Sequence, residues 1–387
     1  MESYDVVIVG AGLAGLQSAR ILAGHGLQVA LVDRKPSLDV AVHTTGIFVR
    51  QSLEDFAIPS AHLGPAIRHV SIYSPAARRL DLESSQDEFR IGRMGPLYER
   101  LLKDCRAAGA DWLPGTGFVG CEEEGSSTRV RLRIAGQSRS VTTRFLIGAD
   151  GTNSRVARRL RLSENRRWIV GLEEVYEGRA SGGPPRLHCF FDRRVAPGYI
   201  AWIADDGDTV HVGVGGYPQR FQPALALDRF RSTAREVVDL SGALIERRAG
   251  RIPVGGILPR LANSRGLLLG DAAGAVSPLT AGGLDPCLRL AELAATAAFR
   301  FLSSGDVAEL AAYDGRRLRK RYRARRMLRA IYDLAGSNVL LEAGCAALRT
   351  GPGRRLAERI FFGRGAFDGA TELRSRVPLR DLRPGPT

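Results

Sequence analysis

Tyr4-Asp5-Val6-Val7-Ile8-Val9-Gly10-Ala11-Gly12-Leu13-Ala14-Gly15 is a β-branched run that breaks into a glycine turn and then a helical pattern. The amphipathic stretch from Leu13 to Ala23 ends at Gly24 to Gly26, and Gln28 to Asp33 reads as a second buried strand. Strand, helix and strand in this order predict a parallel pair with a right-handed crossover. Gly10 permits the tight turn, Gly12 lets the backbone approach a pyrophosphate, and Gly15 lets the helix pack closely on the strand. The helix amino terminus adds unpaired N–H groups and partial positive charge. Asp33, followed by Arg34, ends the second strand where an acid accepts ribose hydroxyls. These features together point to a bound dinucleotide, without separating FAD from NAD.

Working outward, Pro96 to Ala108 reads as a helix, and Phe145 to Ala149 as a buried strand ending in a turn. From Leu187 to Gly216 the period changes to two, in Tyr199-Ile200-Ala201-Trp202-Ile203 and His211-Val212-Gly213-Val214. That alternation predicts antiparallel strands of a different layer. Gly266 to Gly270 is again a buried strand, followed by a loop and a helix from Asp285 to Phe301. The fold class is therefore α/β, with one discontinuous nucleotide-binding domain over residues 1–70, 93–160 and 262–305. An antiparallel-sheet substrate domain, residues 71–92 and 161–261, interrupts it. Residues 306–387 form a C-terminal helical region whose Pro-rich tail is frayed.

Composition narrows the class. The 387 residues are 44% hydrophobic, 25% charged and 7% aromatic, which excludes disordered and collagen-like chains. Cys105, Cys121, Cys189, Cys287 and Cys345 are odd in number and form no CxxC pair, so they are reduced thiols, with no disulfide framework or metal site. The start is acidic and no apolar stretch reaches the roughly 18 to 20 residues of a membrane span, so a cytoplasmic, soluble chain is expected. The net charge is +15, yet of 56 basic residues only Lys35, Lys103 and Lys320 are lysine. Arginines so scattered argue against a nucleic-acid partner. The dense run from Arg316 to Arg329 is either a solvated helix face or a peripheral contact with an anionic membrane surface.

Two further motifs carry chemistry. Gly148-Ala149-Asp150-Gly151-Thr152-Asn153-Ser154-Arg155-Val156 and Gly270-Asp271-Ala272-Ala273-Gly274 each put a carboxylate after a buried strand, where ligands of parallel sheets bind. Pro278-Leu279-Thr280-Ala281-Gly282-Gly283-Leu284 then leads into a helix start with Pro286 in its first turn. In this order and spacing, over residues 1 to 305, the motifs resemble the FAD-dependent superfamily of aromatic hydroxylases, geranylgeranyl reductases and flavin-dependent halogenases. Within it, Gly198-Tyr199-Ile200-Ala201-Trp202-Ile203 and Val210-His211-Val212-Gly213-Val214-Gly215 resemble the geranylgeranyl reductase branch. One more residue separates Tyr199 from Trp202 than in that branch, and Ala204-Asp205 stands where Phe-Pro is expected.

The resemblance implies a Rossmann-like FAD-binding domain of the glutathione-reductase type. It implies that Gly10, Gly12, Ala14, Gly15, Asp33 and Arg34 hold the ADP half, with Arg93 and the backbone of Val119 contacting FAD. Thr45 and Asp150 would flank the cofactor. Asp271 and Pro278 would meet the ribityl and pyrophosphate region, and Gly283 and Leu284 the flavin pyrimidine. A helix amino terminus aimed there favours the reduced anion by about 0.3–1 kcal/mol when exposed. Asp285 is expected as an N-cap of its own helix, or as a group that tunes or protonates flavin or substrate. His43 is expected as a loop histidine bonded to backbone, or as a proton donor over the flavin. Tyr199 and Trp202 are sheet core, or the wall of an apolar substrate cavity.

The reaction implied is reduction of carbon–carbon double bonds in an isoprenoid-like molecule, with NAD(P)H or another donor reducing the flavin. The alternatives are oxygen-dependent hydroxylation of an aromatic or polyketide-like substrate, halogenation, or flavin binding without turnover.

Overall fold

Val6, Val7 and Ile8 have no solvent exposure, as a parallel strand covered on both faces requires. In the computed structural model, which describes residues 2–178 and 183–363, that strand, Ser3–Val9, lies inside a sheet. Val29–Val32 runs parallel on one side, with Val7 opposite Ala30. The end of Gln137–Gly148 runs parallel on the other, with Val9 opposite Gly148. Asp111–Leu113 and Gly266–Leu268 extend the parallel sheet at either side. The first half of Gln137–Gly148 pairs antiparallel with Ser127–Ile134, which pairs in turn with Thr116–Glu124. Helix Leu13–Gly24 packs against both Met94–Ala107 and Leu284–Ser304. The Gly10 turn thus opens at the carboxyl ends of adjacent parallel strands, where open α/β sheets bind ligands.

A second sheet has seven strands in the order Leu244–Pro253, Trp168–Glu177, Thr209–Gly216, Ala201–Asp205, Arg186–Phe190, His69–Tyr73 and Arg79–Glu83. The block expected to be wholly antiparallel has one parallel pair, Arg186–Phe190 beside His69–Tyr73. Residues 89–92, grouped by sequence with this layer, instead pair with Ile47–Val49 and Leu63–Ile67 in a small sheet of their own. Val210, Val212 and Val214 are fully buried and pack in one cluster with Phe221 and Phe230. Strand alternation therefore turns His211, Gly213 and Gly215 to the opposite face.

Three helices, Arg323–Leu334, Asn338–Leu348 and Gly351–Phe361, close the described chain. Arg329 anchors the first: its Nη2 donates to the Gly198 carbonyl at 2.5 Å and to the Tyr217 hydroxyl at 2.8 Å. The Tyr332 hydroxyl donates to the Tyr199 carbonyl. No helix among the described residues is long and apolar enough to cross a membrane. The Pro-rich tail lies outside the described residues.

Candidate functional site

At the Gly10 turn each glycine has a separate geometric reason. Gly10 adopts φ +105°, and a β-carbon there would stand 2.3 Å from the Ala149 carbonyl oxygen. A β-carbon on Gly15 would stand 1.9 Å from the Gly10 carbonyl oxygen, so Gly15 packs the helix onto the turn. Around the β-carbon position of Gly12 there is nothing within 4 Å, and no side chain caps the helix that Gly12 begins. An uncapped helix start facing open space is a cradle for a diphosphate. Asp33 accepts from the Ala11 N–H at 2.7 Å and the Lys35 N–H at 2.9 Å, which sets its carboxylate across the turn while leaving lone pairs for ribose hydroxyls.

This cradle is one end of a cavity of about 1360 Å³. Gly10, Gly12, Ala14, Asp33, Arg34, Thr45, Asp150, Asp271, Gly283 and Leu284 all line it. Asp271 is held where burial raises its carboxyl from 3.8 to about 6, with the Thr152 side chain opposing the rise. A carboxyl so poorly solvated on a cavity wall suits a hydroxyl-rich ligand. The Leu284–Ser304 helix, again without a side-chain cap, brings a second helix start to the same cavity. The residues present therefore fit FAD: one uncapped helix for the pyrophosphate, two carboxylates for hydroxyls and a second helix start for an electron-rich ring edge.

Opposite the cradle, the two-period strands build a polar cluster and an aromatic wall. Glu173 has nearly no exposure. Its Oε2 accepts from Thr45 Oγ1 at 2.5 Å and from Trp202 Nε1 at 2.9 Å. Its Oε1 lies 3.2 Å from His211 Nδ1 and 3.5 Å from Arg248 Nη1. Burial pushes the Glu173 carboxyl up, but His211, Thr45 and Arg248 together hold it below the usual range. On its other side His211 Nε2 is 3.1 Å from Thr209 Oγ1, which donates to Asp206 Oδ1 at 3.3 Å. Thr45, Glu173, Trp202 and Arg248 line the cavity. Beyond them the lining becomes apolar, with Phe89, Leu187, Ile200, Leu328, Leu341 and Phe361 among its walls.

Several expectations meet a different geometry. Arg93 does not line the cavity; its Nη2 pairs with Asp208 at 2.8 Å at the surface. Phe118 lines it, while the side chain of the next residue, Val119, turns away as strand alternation requires, so any contact of Val119 is through its backbone, as expected. Pro278 packs near Gly256, while its neighbours Ser277 and Leu279 reach the cavity. Gly15 supports the turn without lining the cavity. Asp285 is not an N-cap: Gly283 holds that position, and the Asp285 carboxylate accepts from Ser52 Oγ at 3.0 Å and Arg289 Nε at 2.9 Å. Arg289 also pairs with Asp55 at 2.8 Å, so Asp285 joins a buried ion-pair cluster at the cavity edge. Asp150 accepts from Ser154 Oγ at 2.6 Å and the Arg155 N–H at 2.7 Å, fastening the short helix that follows it. His43 is exposed on the cavity wall. Tyr199 and Trp202 are both core and wall: Tyr199 donates its hydroxyl to the Thr280 carbonyl at 2.7 Å and still lines the cavity.

Residues 3–176 match the family model described as an FAD binding domain. The chain is 29% identical over 314 residues to the geranylgeranyl diphosphate reductase of Rhodobacter capsulatus, covering 79% of this chain and 78% of that one. It is 27% identical over 321 residues to the digeranylgeranylglycerophospholipid reductase of Methanosarcina acetivorans, covering 79% and 77%. The solved structure of a geranylgeranyl bacteriochlorophyll reductase-like protein from Thermoplasma acidophilum superposes with a TM-score of 0.80 at 20% identity, covering 97% of this chain and all of that one.

Proposed function

We propose that the chain is an FAD-dependent oxidoreductase of the kind that includes the aromatic hydroxylases and the geranylgeranyl reductases, and that it reduces carbon–carbon double bonds of an apolar, isoprenoid-like molecule. The observation that supports this reading is continuity: one cavity runs from the Gly12 cradle, past Thr45 and Trp202, into an apolar chamber. A substrate that enters the chamber end-on brings a double bond to the cofactor while its chain stays out of water. The relatives named as reductases of geranylgeranyl groups support the same substrate class.

In this reading the Gly10–Ala14 turn would hold the FAD pyrophosphate, Asp33 the ribose, Asp271 the ribityl chain, and the Gly283–Leu284 helix start the pyrimidine edge. FAD held there, reduced by NAD(P)H or another donor, would supply the hydride for one carbon of the double bond. The second carbon needs a proton, and the chain's own residues hold one. Thr45 Oγ1 stands on the cavity wall, hydrogen-bonded to Glu173, and Glu173 to His211. His211 continues through Thr209 to Asp206, in a turn whose neighbour Asp208 is exposed. The Thr45 hydroxyl passes its proton to the substrate and recovers one along the Glu173, His211 and Thr209 hydrogen bonds, with solvent at the Asp206–Thr209 turn as the source. Arg248 keeps the Glu173 carboxylate charged and oriented between transfers.

The test is product mass. Purified holoenzyme, reduced with dithionite and given geranylgeranyl diphosphate without oxygen, forms products heavier by two hydrogens per reduced bond. An oxygen-requiring product carrying one added oxygen on an aromatic substrate, with no hydrogenation, overturns the reading in favour of a monooxygenase.

A further inference from the structure

The C-terminal helices combine three properties on one surface. Residues 315–363 hold thirteen basic and three acidic residues, a net charge of +10 out of the chain's +15. The same stretch holds Met327, Ile331, Leu334, Val339, Leu340 and Leu356, six of the eleven large hydrophobic residues exposed among the described residues. Leu334 is 81% exposed and Val339 78%, and both flank the turn at Ala335–Ser337 that joins two helices. Met327, Ile331 and Leu334 recur at helical spacing on one face of Arg323–Leu334, whose other side buries Arg329 against the substrate sheet.

The third property is position. Ile331, Leu340 and Leu356 are exposed and also line the cavity, so this apolar surface is its rim. An exposed apolar rim set among charge mostly of one sign is costly in water and marks a surface that meets something else. Exposed arginines at 323, 326, 354, 355 and 359 stand on the same three helices. An apolar strip edged by arginine is the pattern of a helix that lies in a lipid interface, with its apolar side chains below the headgroups and guanidinium groups at the phosphates.

We propose that the Arg323–Leu334 and Asn338–Leu348 helices dock on an anionic lipid bilayer, with Leu334, Val339 and Met327 inserted and Arg323 and Arg326 on the phosphates. The docked cavity rim then opens onto the acyl layer, and an apolar substrate passes from lipid to chamber without crossing water. This rests on the apolar-substrate reading above, but the docking itself is measured without turnover.

The FAD-loaded chain is sedimented with vesicles of phosphatidylcholine alone and with vesicles containing phosphatidylglycerol. Binding is expected to the anionic vesicles, to weaken as salt rises, and to fall roughly tenfold or more in L334D/V339D. Charge reversal in R323E/R326E is expected to abolish the preference for anionic lipid. Neither pair lines the cavity, so FAD content and turnover of detergent-dispersed substrate should match wild type. A protein that turns over dispersed substrate yet ignores anionic vesicles overturns the docking and leaves the reaction standing. Vesicle binding with no reduction of any polyprenyl substrate leaves the docking standing and overturns the reaction. Binding that L334D/V339D does not change, a dimer that the same pair dissolves while vesicles are ignored, or binding to RNA in place of lipid each overturns the docking.

Discussion

Trp202 Nε1 donates a 2.9 Å hydrogen bond to Glu173 Oε2, and the indole lies over Gly213, where a β-carbon would stand 2.2 Å from ring atom Cε2. One side of the ring is thus fixed by a buried charge and the other by a missing side chain. Gly215 does the same for Tyr199, with a β-carbon position 2.6 Å from Cδ1. The two glycines keep the aromatic wall flat on the sheet and hold the chamber open.

Replacing Gly213 by Ala is expected to push the indole off this seat. The overpacked sheet should lose about 1–3 kcal/mol, and the displaced ring should narrow the chamber. Thermal unfolding gives the first effect. A raised KM for polyprenyl substrate with unchanged FAD content gives the second.

Glu173 makes acid stability testable. Its carboxyl is held below the usual range in the folded protein, so it contributes stability above its unfolded value of about 4.3 and loses it as pH falls through the folded one. Glu173→Gln cannot accept from all four surrounding donors and should cost roughly 3 kcal/mol at neutral pH. The gap between wild type and variant should narrow below about pH 4, because only wild type titrates there. Chemical denaturation across this window reads it. In the proton-relay reading, E173Q also flattens the pH profile of reduction while His43→Ala leaves it unchanged.

Asp271 behaves in the opposite sense. Its folded value, about 6, lies above the usual 3.8, so the apoprotein loses stability as pH rises between these two values. Asp271→Asn should therefore make the apoprotein more stable at pH above about 6 and leave it unchanged near pH 4. If Asp271 meets the ribityl chain as proposed, the same variant should bind FAD about tenfold more weakly, having lost a charged acceptor for its hydroxyls. Thermal shift with and without added FAD separates the two effects.

The dinucleotide half of the site was legible because its requirements are local. Gly10 and Gly15 sit where a turn and a helix contact exclude a side chain, Gly12 leaves open space between them, and such constraints leave fixed spacings in sequence. Asp33 and Asp271 follow buried strands and inherit their placement from them. Glu173, His211 and Arg248 left no such mark. They come from three strands brought together by antiparallel pairing across Trp168–Glu177, and nothing in their spacing announces the contact. The glycines at 213 and 215, alternating with buried valines, were the available signal that one face of that strand is pared down. Asp285 misled for a related reason: its helix position suits a cap, but Ser52 and Arg289 hold it instead. Arg93 matches a family motif, but in this chain Asp208 pairs with it at the surface.

The proposed reaction is hydride transfer from a reduced flavin in this cavity to an apolar double bond. It is tested most directly by a single anaerobic turnover, in which the FAD-loaded chain is reduced, freed of excess reductant and mixed with geranylgeranyl diphosphate while the flavin spectrum is followed. The oxidised spectrum is expected to return at a rate that rises with substrate, together with one hydrogenated bond per flavin. A flavin that stays reduced with every polyprenyl substrate, but reoxidises with oxygen while an aromatic ligand is hydroxylated, would contradict it.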